Sequence, residues 1–182
     1  MEEIIREIHV RYLDTPVGEM VLGSSGDRIC LCDWRYRSRR VQVDQRLKRF
    51  FQAEFVEGPS RVTELAASQI MDYFNQKIKK FSIPLAFAGT EYQIMVWNEI
   101  MKIPYGTAIS YQDLANRTGR PDAVRAVAGI NGQNALALVV PCHRVIGRNG
   151  NLTGYSGGLR AKKALLQLEG WTVTSEPTLF PL

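Results

Sequence analysis

Alternating apolar and polar residues in the first third of the chain predict a small antiparallel sheet. The alternation runs through residues 7–14 (EIHVRYLD), 19–25 (EMVLGSS) and 28–34 (RICLCDW), and a short turn sequence with a glycine separates each from the next. A period of two indicates strands that bury one face and expose the other. We therefore expect a three-stranded antiparallel meander.

The chain then changes to helical spacing. Residues 41–56 and 63–76 each predict a helix, because apolar residues recur there every three or four positions. The expected apolar positions are Val43, Leu47, Phe50, Phe51 and Phe55 in the first helix, and Leu65, Ile70 and Phe74 in the second. Residues 81–87 (FSIPLAF) predict a short strand or an extended connection.

After about residue 88 the pattern is mostly helical, so we expect an α/β domain over 1–88 and a second domain over 89–182. Thr90 is a candidate N-cap, Pro121 falls near the first turn of a helix, and Gly170 ends the last one. The predicted elements of this second domain are helices over 91–103, 110–119, 121–132 and 159–170, an extended segment over 136–147 and a glycine-rich turn over 154–158.

The two short helices joined at Gly119 have the layout of a DNA-binding helix-turn-helix. Short helix pairs of this kind are also common in proteins that do not bind DNA. The second helix has a core stripe of Ala123, Val124, Val127 and Ile130, and its opposite side carries Arg125, Ala126, Ala128 and Gly129. A face this bare either lets the backbone approach DNA closely, with one arginine projecting into it, or packs against another helix.

Composition indicates a globular protein of a reducing compartment. Of the 182 residues, 45% are hydrophobic, no apolar run is long enough to cross a bilayer, and the N-terminus does not resemble a signal peptide. Cys30, Cys32 and Cys142 do not look like a disulfide framework. We therefore expect a cytoplasmic protein with no membrane contact. The net charge of +5 permits a polyanionic partner.

Adjacent Cys142 and His143 are candidates for a nucleophilic thiol and its base. Neighbouring side chains of an extended chain point to opposite sides, so the pair needs a bridging water or a turn at Pro141. Glu169 falls at a helix C-terminus, where a carboxylate is unfavourable unless it has a cationic or imidazole partner. The alternatives are an inert core thiol and a solvent-exposed glutamate.

Five motifs together resemble the O6-alkylguanine-DNA alkyltransferase family, the methylated-DNA–protein-cysteine methyltransferases. The resemblance covers residues 87–171 and is most specific at the sequence PCHRV. The motifs are VWNEIMKIPYGTAISYQDLA (96–115), RAVAGINGQN (125–134), VVPCHRVIG (139–147), GYSGGL (154–159) and LEG (168–170). TPVGEMVL near the N-terminus resembles the family's N-terminal domain more loosely.

The resemblance implies a single-turnover transfer of a methyl or other alkyl group from O6-alkylguanine, and from O4-alkylthymine, to Cys142. His143 is expected to take the thiol proton through a water, and Glu169 to orient His143. By the same resemblance Tyr111 donates a proton to N3 of the guanine, and the backbone around Val145 contacts O6.

The resemblance also implies how the lesion is reached. Arg125 corresponds to the family's arginine finger, which enters the stack in place of the extruded nucleotide. Ala126, Ala128, Gly129 and Tyr111 are expected at the minor groove of double-stranded DNA. Asn134 matches the asparagine that braces the site. The loop over the guanine pocket matches Thr153, Tyr155 and Ser156.

The implied fold is a ribonuclease-H-like α/β N-terminal domain joined to a winged-helix-like, helix-turn-helix C-terminal domain. We expect a monomer without a cofactor. Some family members hold a structural zinc in the N-terminal domain through cysteines and histidines. The N-terminal half of this chain offers only His9, Cys30 and Cys32 as ligands, so we expect no metal. Ala137 and Thr153 replace a proline and a glycine of some members, which predicts a different pocket for bulky alkyl groups.

Two other functions fit part of the sequence. A DNA-binding lesion sensor or regulator would use the helix pair but leave His143 and Glu169 without a role. A hydrolase or protease would use Cys142 and His143 but leave Arg125 and the bare helix without one.

Overall fold

The computed structural model describes residues 6–172, and the chain divides into two units after Thr90. This division lies close to residue 88, where the sequence pattern changes. The first unit contains β1 (Arg6–Thr15), β2 (Gly18–Ser25), β3 (Arg28–Trp34), α1 (Arg40–Phe51), β4 (Ala53–Glu57) and α2 (Arg61–Phe74). The second contains α3 (Glu91–Met101), β5 (Ile109–Ser110), α4 (Tyr111–Arg117), α5 (Val124–Gly132), β6 (Val145–Ile146) and α6 (Gly158–Leu168).

The first unit is built on a mixed four-stranded sheet with the order β3-β2-β1-β4. Strands β1, β2 and β3 are antiparallel neighbours, so the predicted meander is confirmed. Leu22 lies opposite Arg11 on one side and Cys32 on the other. The chain is thus an α/β protein, as expected.

The end of the first predicted helix is wrong, because α1 stops at Phe51 and residues 53–57 form β4. Gln52 adopts a left-handed conformation with φ of 51°, which turns the chain out of the helix. Strand β4 then pairs in parallel with β1, and Phe55 lies opposite Ile8. Phe55 fits a helical period by its spacing, but the open edge of β1 supplies backbone hydrogen bonds that no local pattern encodes.

Helix α2 packs across β1, β2 and β3 through Val62, Ala66, Ile70 and Tyr73, all buried. Ile70 was predicted at this face, whereas the prediction for Leu65 was wrong, since its side chain is 42% exposed. In α1, Val43 and Leu47 are buried as expected, but Phe50 is 51% exposed.

Residues 81–87 form an extended connection, one of the two alternatives expected for them. Ile29 in β3 donates its N–H to the carbonyl of Pro84 at 2.9 Å and accepts from the N–H of Ala86 at 2.9 Å. The connection therefore pairs with the edge strand β3 at one position, through a bridge between Ile29 and Leu85.

Helices α3, α4 and α5 pack on one another in the second unit. The core of α3 is Val96, Trp97 and Ile100, and the Trp97 indole N–H donates to the carbonyl of Ile130 in α5 at 3.0 Å. Helix α4 begins at a capping box in which Ser110 accepts from the N–H of Asp113. Helix α5 starts at Val124 rather than Pro121, because the turn after α4 extends through Ala123.

The segment over 136–147 is not extended throughout, contrary to the prediction. Val140 donates its N–H to the carbonyl of Leu136 at 2.8 Å, and Leu138 between them has a φ of 74°. Residues Cys142–Arg144 form one turn of 3₁₀ helix, and Val145–Ile146 then pairs in parallel with β5. Tertiary pairing at β5 and a tight turn replace the straight strand that the run of apolar residues indicates.

Ser60→Ala is expected to lower the free energy of unfolding by about 1 kcal/mol, the usual cost of losing an N-cap. The Ser60 hydroxyl accepts from the N–H of Thr63 at 3.2 Å and lies 2.7 Å from the hydroxyl of buried Ser24. Ser68→Ala, on the exposed face of the same helix, is the matched control and should change stability by less than about 0.5 kcal/mol. Urea denaturation followed by circular dichroism measures both; equal losses would contradict the capping role.

Candidate active site

Cys142 begins the 3₁₀ turn that follows Pro141, and its side chain is almost entirely buried, with the residue 3% exposed. The turn is closed by the N–H of Arg144, which donates to the carbonyl of Pro141 at 2.9 Å. A turn at Pro141 was one of the two geometries that could relate Cys142 to the side chain of His143. Two titratable side chains, those of Tyr111 and Lys162, are close enough to the thiol to interact with it electrostatically.

His143 is fully buried and its Nε2 lies 2.9 Å from Oε1 of Glu169. An ionised carboxylate can only accept, so Nε2 carries the proton and Nδ1 keeps its lone pair. Nδ1 is buried and has no hydrogen-bond partner among residues 6–172. Burial lowers the pKa of His143, which keeps the imidazole neutral at pH 7. The ring is therefore oriented and protonated as a general base requires.

Arg144 is a site residue that the sequence analysis missed. Its Nε donates to Oε2 of Glu169 at 2.9 Å and its Nη2 to Oε1 at 2.8 Å, a bidentate pair. Its Nη1 donates to the carbonyl of Ile103 at 2.7 Å. Burial raises the pKa of Glu169, but hydrogen bonds from His143 and Arg144 outweigh it and lower the pKa to about 2. Glu169 is thus a permanent anion at neutral pH.

Glu169 follows the last residue of α6, and Gly170 with a φ of 83° ends the helix as predicted. The imidazole and cationic partners expected for a carboxylate at this position are His143 and Arg144. The turn after α3 adds a third donor, because the N–H of Gly106 points to Oε2 of Glu169 at 3.2 Å. The hydroxyl of Tyr105 donates to the carbonyl of Leu168 at 3.2 Å and fixes the same helix end.

Tyr111 is the first residue of α4, and its hydroxyl donates to the carbonyl of Thr153 at 3.5 Å. Burial raises the pKa of this phenol, and the nearby Cys142 raises it further, whereas contacts with Thr153 and Asn131 lower it. The phenol therefore stays protonated across the neutral range. A protonated phenol can act as a hydrogen-bond donor, here to the carbonyl of Thr153.

Asn134 is buried, and its amide bridges the turn that precedes the cysteine. Its Nδ2 donates to the carbonyl of Val140 at 2.9 Å, and its Oδ1 accepts from the N–H of Leu136 at 2.9 Å. These two bonds span the turn that contains Leu138 in its left-handed conformation. The amide of Asn134 therefore ties together the two ends of this turn.

Lys162 is the second residue that the sequence analysis missed. Its side chain is fully buried, and Nζ donates to the carbonyls of Val145 at 2.6 Å, Thr153 at 2.8 Å and Gly154 at 3.3 Å. A signal for it existed, since Lys162 lies on the same helical stripe as buried Leu165 and Leu166. A charged residue on an apolar stripe requires buried partners.

The expected pocket residues differ in exposure. Val145 is fully buried, Tyr155 and Ser156 are partly exposed, and Thr153 is exposed. The ring of Tyr155 lies edge-on to the imidazole of His143, with 6.4 Å between centroids. The N–H of Val145 donates to the carbonyl of Cys142, so both backbone polar groups of Val145 have protein partners.

The bare face of α5 is exposed, as expected for a surface that meets another molecule. Arg125, Ala126 and Gly129 are exposed and Ala128 is partly so, whereas Val127 and Ile130 are buried. Among residues 91–172, no other helix packs against this face, which was the alternative explanation of its small residues. The helix pair thus presents one arginine on a surface of small residues.

Three findings bear on other site types. No group of three or more histidine, cysteine, aspartate or glutamate side chains in residues 6–172 is placed to hold a metal ion. None of the three cysteines forms a disulfide, and burial raises the pKa of Cys30 to about 12. Within the same residues, every helix is too short or too polar to cross a membrane.

A cysteine next to a buried histidine–carboxylate pair, in a unit that also exposes a bare helix-turn-helix face, defines a class: DNA-binding proteins with an activated thiol. Comparison with known proteins gives the family. Residues 91–171 match the model described as 6-O-methylguanine DNA methyltransferase, DNA binding domain. The chain belongs to the family of methylated-DNA–protein-cysteine methyltransferases.

Three relatives illustrate the similarity. The chain is 39% identical over 181 residues to a methylated-DNA–protein-cysteine methyltransferase of Mycobacterium leprae, covering 95% of this chain and 99% of the relative. The inducible Bacillus subtilis protein of that name is 48% identical over 122 residues, covering 67% and 68%. A crystal structure of Mycobacterium tuberculosis OGT in complex with DNA is 36% identical, with a TM-score of 0.77 over 88% of this chain and 92% of the other.

Gly106→Ala is expected to destabilise the protein more than Gly119→Ala, its matched control. Both glycines have positive φ, 77° and 71°, so both variants carry a backbone strain of roughly 1 kcal/mol. A Cβ at Gly106 would also lie 2.8 Å from the carbonyl oxygen of Glu169, whereas one at Gly119 meets nothing within 4 Å. We expect an additional loss of about 1–3 kcal/mol for Gly106→Ala in urea denaturation. Similar losses in the two variants would show that Gly106 has no special packing role.

Proposed function

We propose that this protein repairs DNA by irreversible transfer of an alkyl group from O6-alkylguanine, and from O4-alkylthymine, to the sulfur of Cys142. The observation that carries the proposal is the imidazole of His143, with one nitrogen bonded to Glu169 and the other buried and available. The names of the relatives support the reaction and not a lesion sensor without transfer chemistry. The reaction has one turnover, because a thioether has no route back to the thiol.

In the proposed chemistry His143 Nδ1 accepts the proton of Cys142 through a bridging water, and Glu169 stabilises the resulting imidazolium. The thiolate attacks the alkyl carbon, a sulfur–carbon bond forms, and the bond from carbon to O6 breaks. The electron pair goes to the guanine. Tyr111, which its raised pKa keeps protonated at neutral pH, donates its proton to N3 of that leaving base.

DNA is the proposed partner, bound through the exposed face of α5. Ala126, Ala128 and Gly129 let the helix backbone approach the minor groove, and Arg125 fills the space of the extruded nucleotide. The complex of the Mycobacterium tuberculosis protein with DNA supports this partner. The net charge of +5 favours the same partner through phosphate contacts.

The remaining roles complete the proposal. Val145, Thr153, Tyr155 and Ser156 line the pocket for the everted base, and Asn134 braces the turn before Cys142. We also propose that the two units are ribonuclease-H-like and winged-helix-like, and that the protein acts as a monomer without a cofactor. A repair protein for chromosomal DNA works where that DNA lies, the cytoplasm and nucleoid of a bacterium or the nucleus of a eukaryote.

Transfer is tested by intact mass after mixing with a duplex that contains O6-methylguanine. We expect one methyl group per protein molecule, located by peptide mapping on the peptide with Cys142, and one lesion removed per molecule. Cys142→Ser should bind the duplex and stay unmodified. Binding without any mass change in the wild type would favour the sensor, and removal of several lesions per molecule would favour a hydrolase.

Arg125→Ala is expected to slow transfer from duplex DNA by about tenfold or more, because extrusion of the base loses its replacement in the stack. Transfer from a single-stranded oligonucleotide should change much less, since no base pair must open. Arg160→Ala removes one exposed charge from α6 and is the matched control. Rates come from quenched time courses; an equal loss on both substrates would assign Arg125 to general charge attraction.

A further inference from the structure

Residues 35–49, the connection after β3 and most of α1, carry the excess positive charge of the chain. Seven of the 23 lysines and arginines fall in this segment but only one of the 18 aspartates and glutamates, which gives the segment a net charge of +6. The whole chain carries +5, so all the other residues together are close to neutral. Neither the transfer chemistry proposed for Cys142 nor the DNA contact proposed for α5 uses this segment.

Internal ion pairs neutralise part of this charge and fix the start of α1. Arg37 donates through Nη1 to Oδ2 of the fully buried Asp33 at 2.7 Å, and Nη1 of Arg40 lies 3.6 Å from the same oxygen. Arg40 also pairs with Asp44, one turn further along the helix. Two more cations of the segment pair with glutamates: Arg35 with Glu19 and Lys48 with Glu54.

The other three arginines recur at helical spacing along one side of α1. Arg39, the N-cap, and Arg49, in the last turn, are exposed, and no acidic side chain in residues 6–172 forms an ion pair with either. Arg46 lies between them and is partly exposed. Burial and the charge of Arg37 lower the pKa of Arg46, so a bound anion would offset both effects.

A groove of about 420 Å³ lies on the same side of the helix, and its lining contains no acidic residue. We call Arg39 and the residues that line this groove the basic face of α1. The lining residues are Gln42, Gln45, Arg46, Arg49 and Phe50. The apolar stripe of the helix, Val43 and Leu47, is buried in unit 1, so the basic face is the side that remains accessible.

The length and chemistry of the basic face match a row of phosphates. Arg39 and Arg49 are ten positions apart, which is about 15 Å along a helix axis. A DNA strand carries one phosphate about every 3.4 Å of its axis, so the face spans about four of them. Guanidinium groups bind phosphate oxygens bidentately, and glutamine amides add neutral donors. Six of the seven cations in the segment are arginine.

Two other kinds of occupant match the basic face less closely. A membrane surface requires a broad apolar face beside the cations, whereas Phe50 is the one apolar residue of the groove lining. An acidic protein segment would match the charge. Duplex DNA, however, is a denser and continuous row of anions, and it is already the partner proposed for the second unit.

We propose that the basic face of α1 is a second DNA-docking surface, which binds the phosphate backbone of duplex DNA without reading its sequence. The proposal goes beyond the proposed function, because neither Cys142 nor α5 contributes to this surface. Contacts to phosphates alone are the same at every base sequence. The basic face therefore holds the protein on undamaged duplex as well as at a lesion.

The test is the affinity for an undamaged duplex, measured by fluorescence anisotropy over a range of salt concentrations. Arg39→Gln/Arg49→Gln should weaken binding about tenfold or more at low salt and reduce the slope of log K against log salt by about 1–2, because two phosphate contacts are lost. Arg61→Gln/Lys80→Gln removes the same charge from exposed positions of unit 1 outside the segment, and should change the slope much less. Equal changes in the two variants would overturn the proposal in favour of general charge attraction.

Two further arms separate the alternatives. Arg39→Lys/Arg49→Lys keeps both charges and should keep the salt slope of the wild type; a slope as low as that of the glutamine variant would overturn an electrostatic contact. Polyglutamate is the probe for an acidic protein partner. If the glutamine variant lost affinity for polyglutamate but bound duplex DNA like the wild type, the surface would belong to a protein and the proposal would be wrong.

Methyl transfer from the free base O6-methylguanine needs no phosphate contact, so every variant should react at the rate of the wild type. This measurement shows that the variants are folded. It also separates the two proposals, because a wild type that accepts no methyl group would remove the proposed function. The salt dependence of duplex binding would still decide whether the basic face docks DNA.

Discussion

The site depends on one buried carboxylate, that of Glu169. It accepts from His143, from Arg144 and from the N–H of Gly106, and these donors belong to two segments far from it in the sequence. A buried ion pair of this kind contributes little net stability, because desolvation offsets most of the Coulomb energy. Its value lies in geometry: a carboxylate that stays ionised fixes which nitrogen of His143 carries the proton. The tautomer of the base therefore follows from a carboxylate at a helix end, held in place by three donors.

The backbone before and at the cysteine departs from the extended conformation at two places. Asn134 spans the turn in which Leu138 is left-handed, and the chain then enters the 3₁₀ turn at Cys142. A non-glycine residue at positive φ costs free energy and persists only when its surroundings determine it. The buried amide of Asn134 supplies that determination. The 3₁₀ turn thereby replaces the extended backbone in which neighbouring side chains would point to opposite sides.

Positive charge has two separate roles in the second unit. Arg125 stands on an exposed face of small residues, where a cation remains hydrated and can approach a polyanion. Arg144 and Lys162 are buried, where each cation is worth much more to a neighbouring anion because the dielectric is low. Exposed charge is therefore accessible to a partner, and buried charge helps to keep Glu169 ionised.

The sequence by itself determined the meander, the positions of the main helices, the bare face of α5 and the adjacent Cys142 and His143. Each of these is local, because periodic burial and turn residues report on neighbours within a few positions. Only the tertiary structure decided that β4 is a strand, that the chain at Cys142 turns, and that Arg144 and Lys162 belong to the site. Arg144 and Glu169 are 25 positions apart, and Lys162 and Val145 are 17. Such partners are brought together by packing of whole elements, and no period in the sequence records which buried charge meets which.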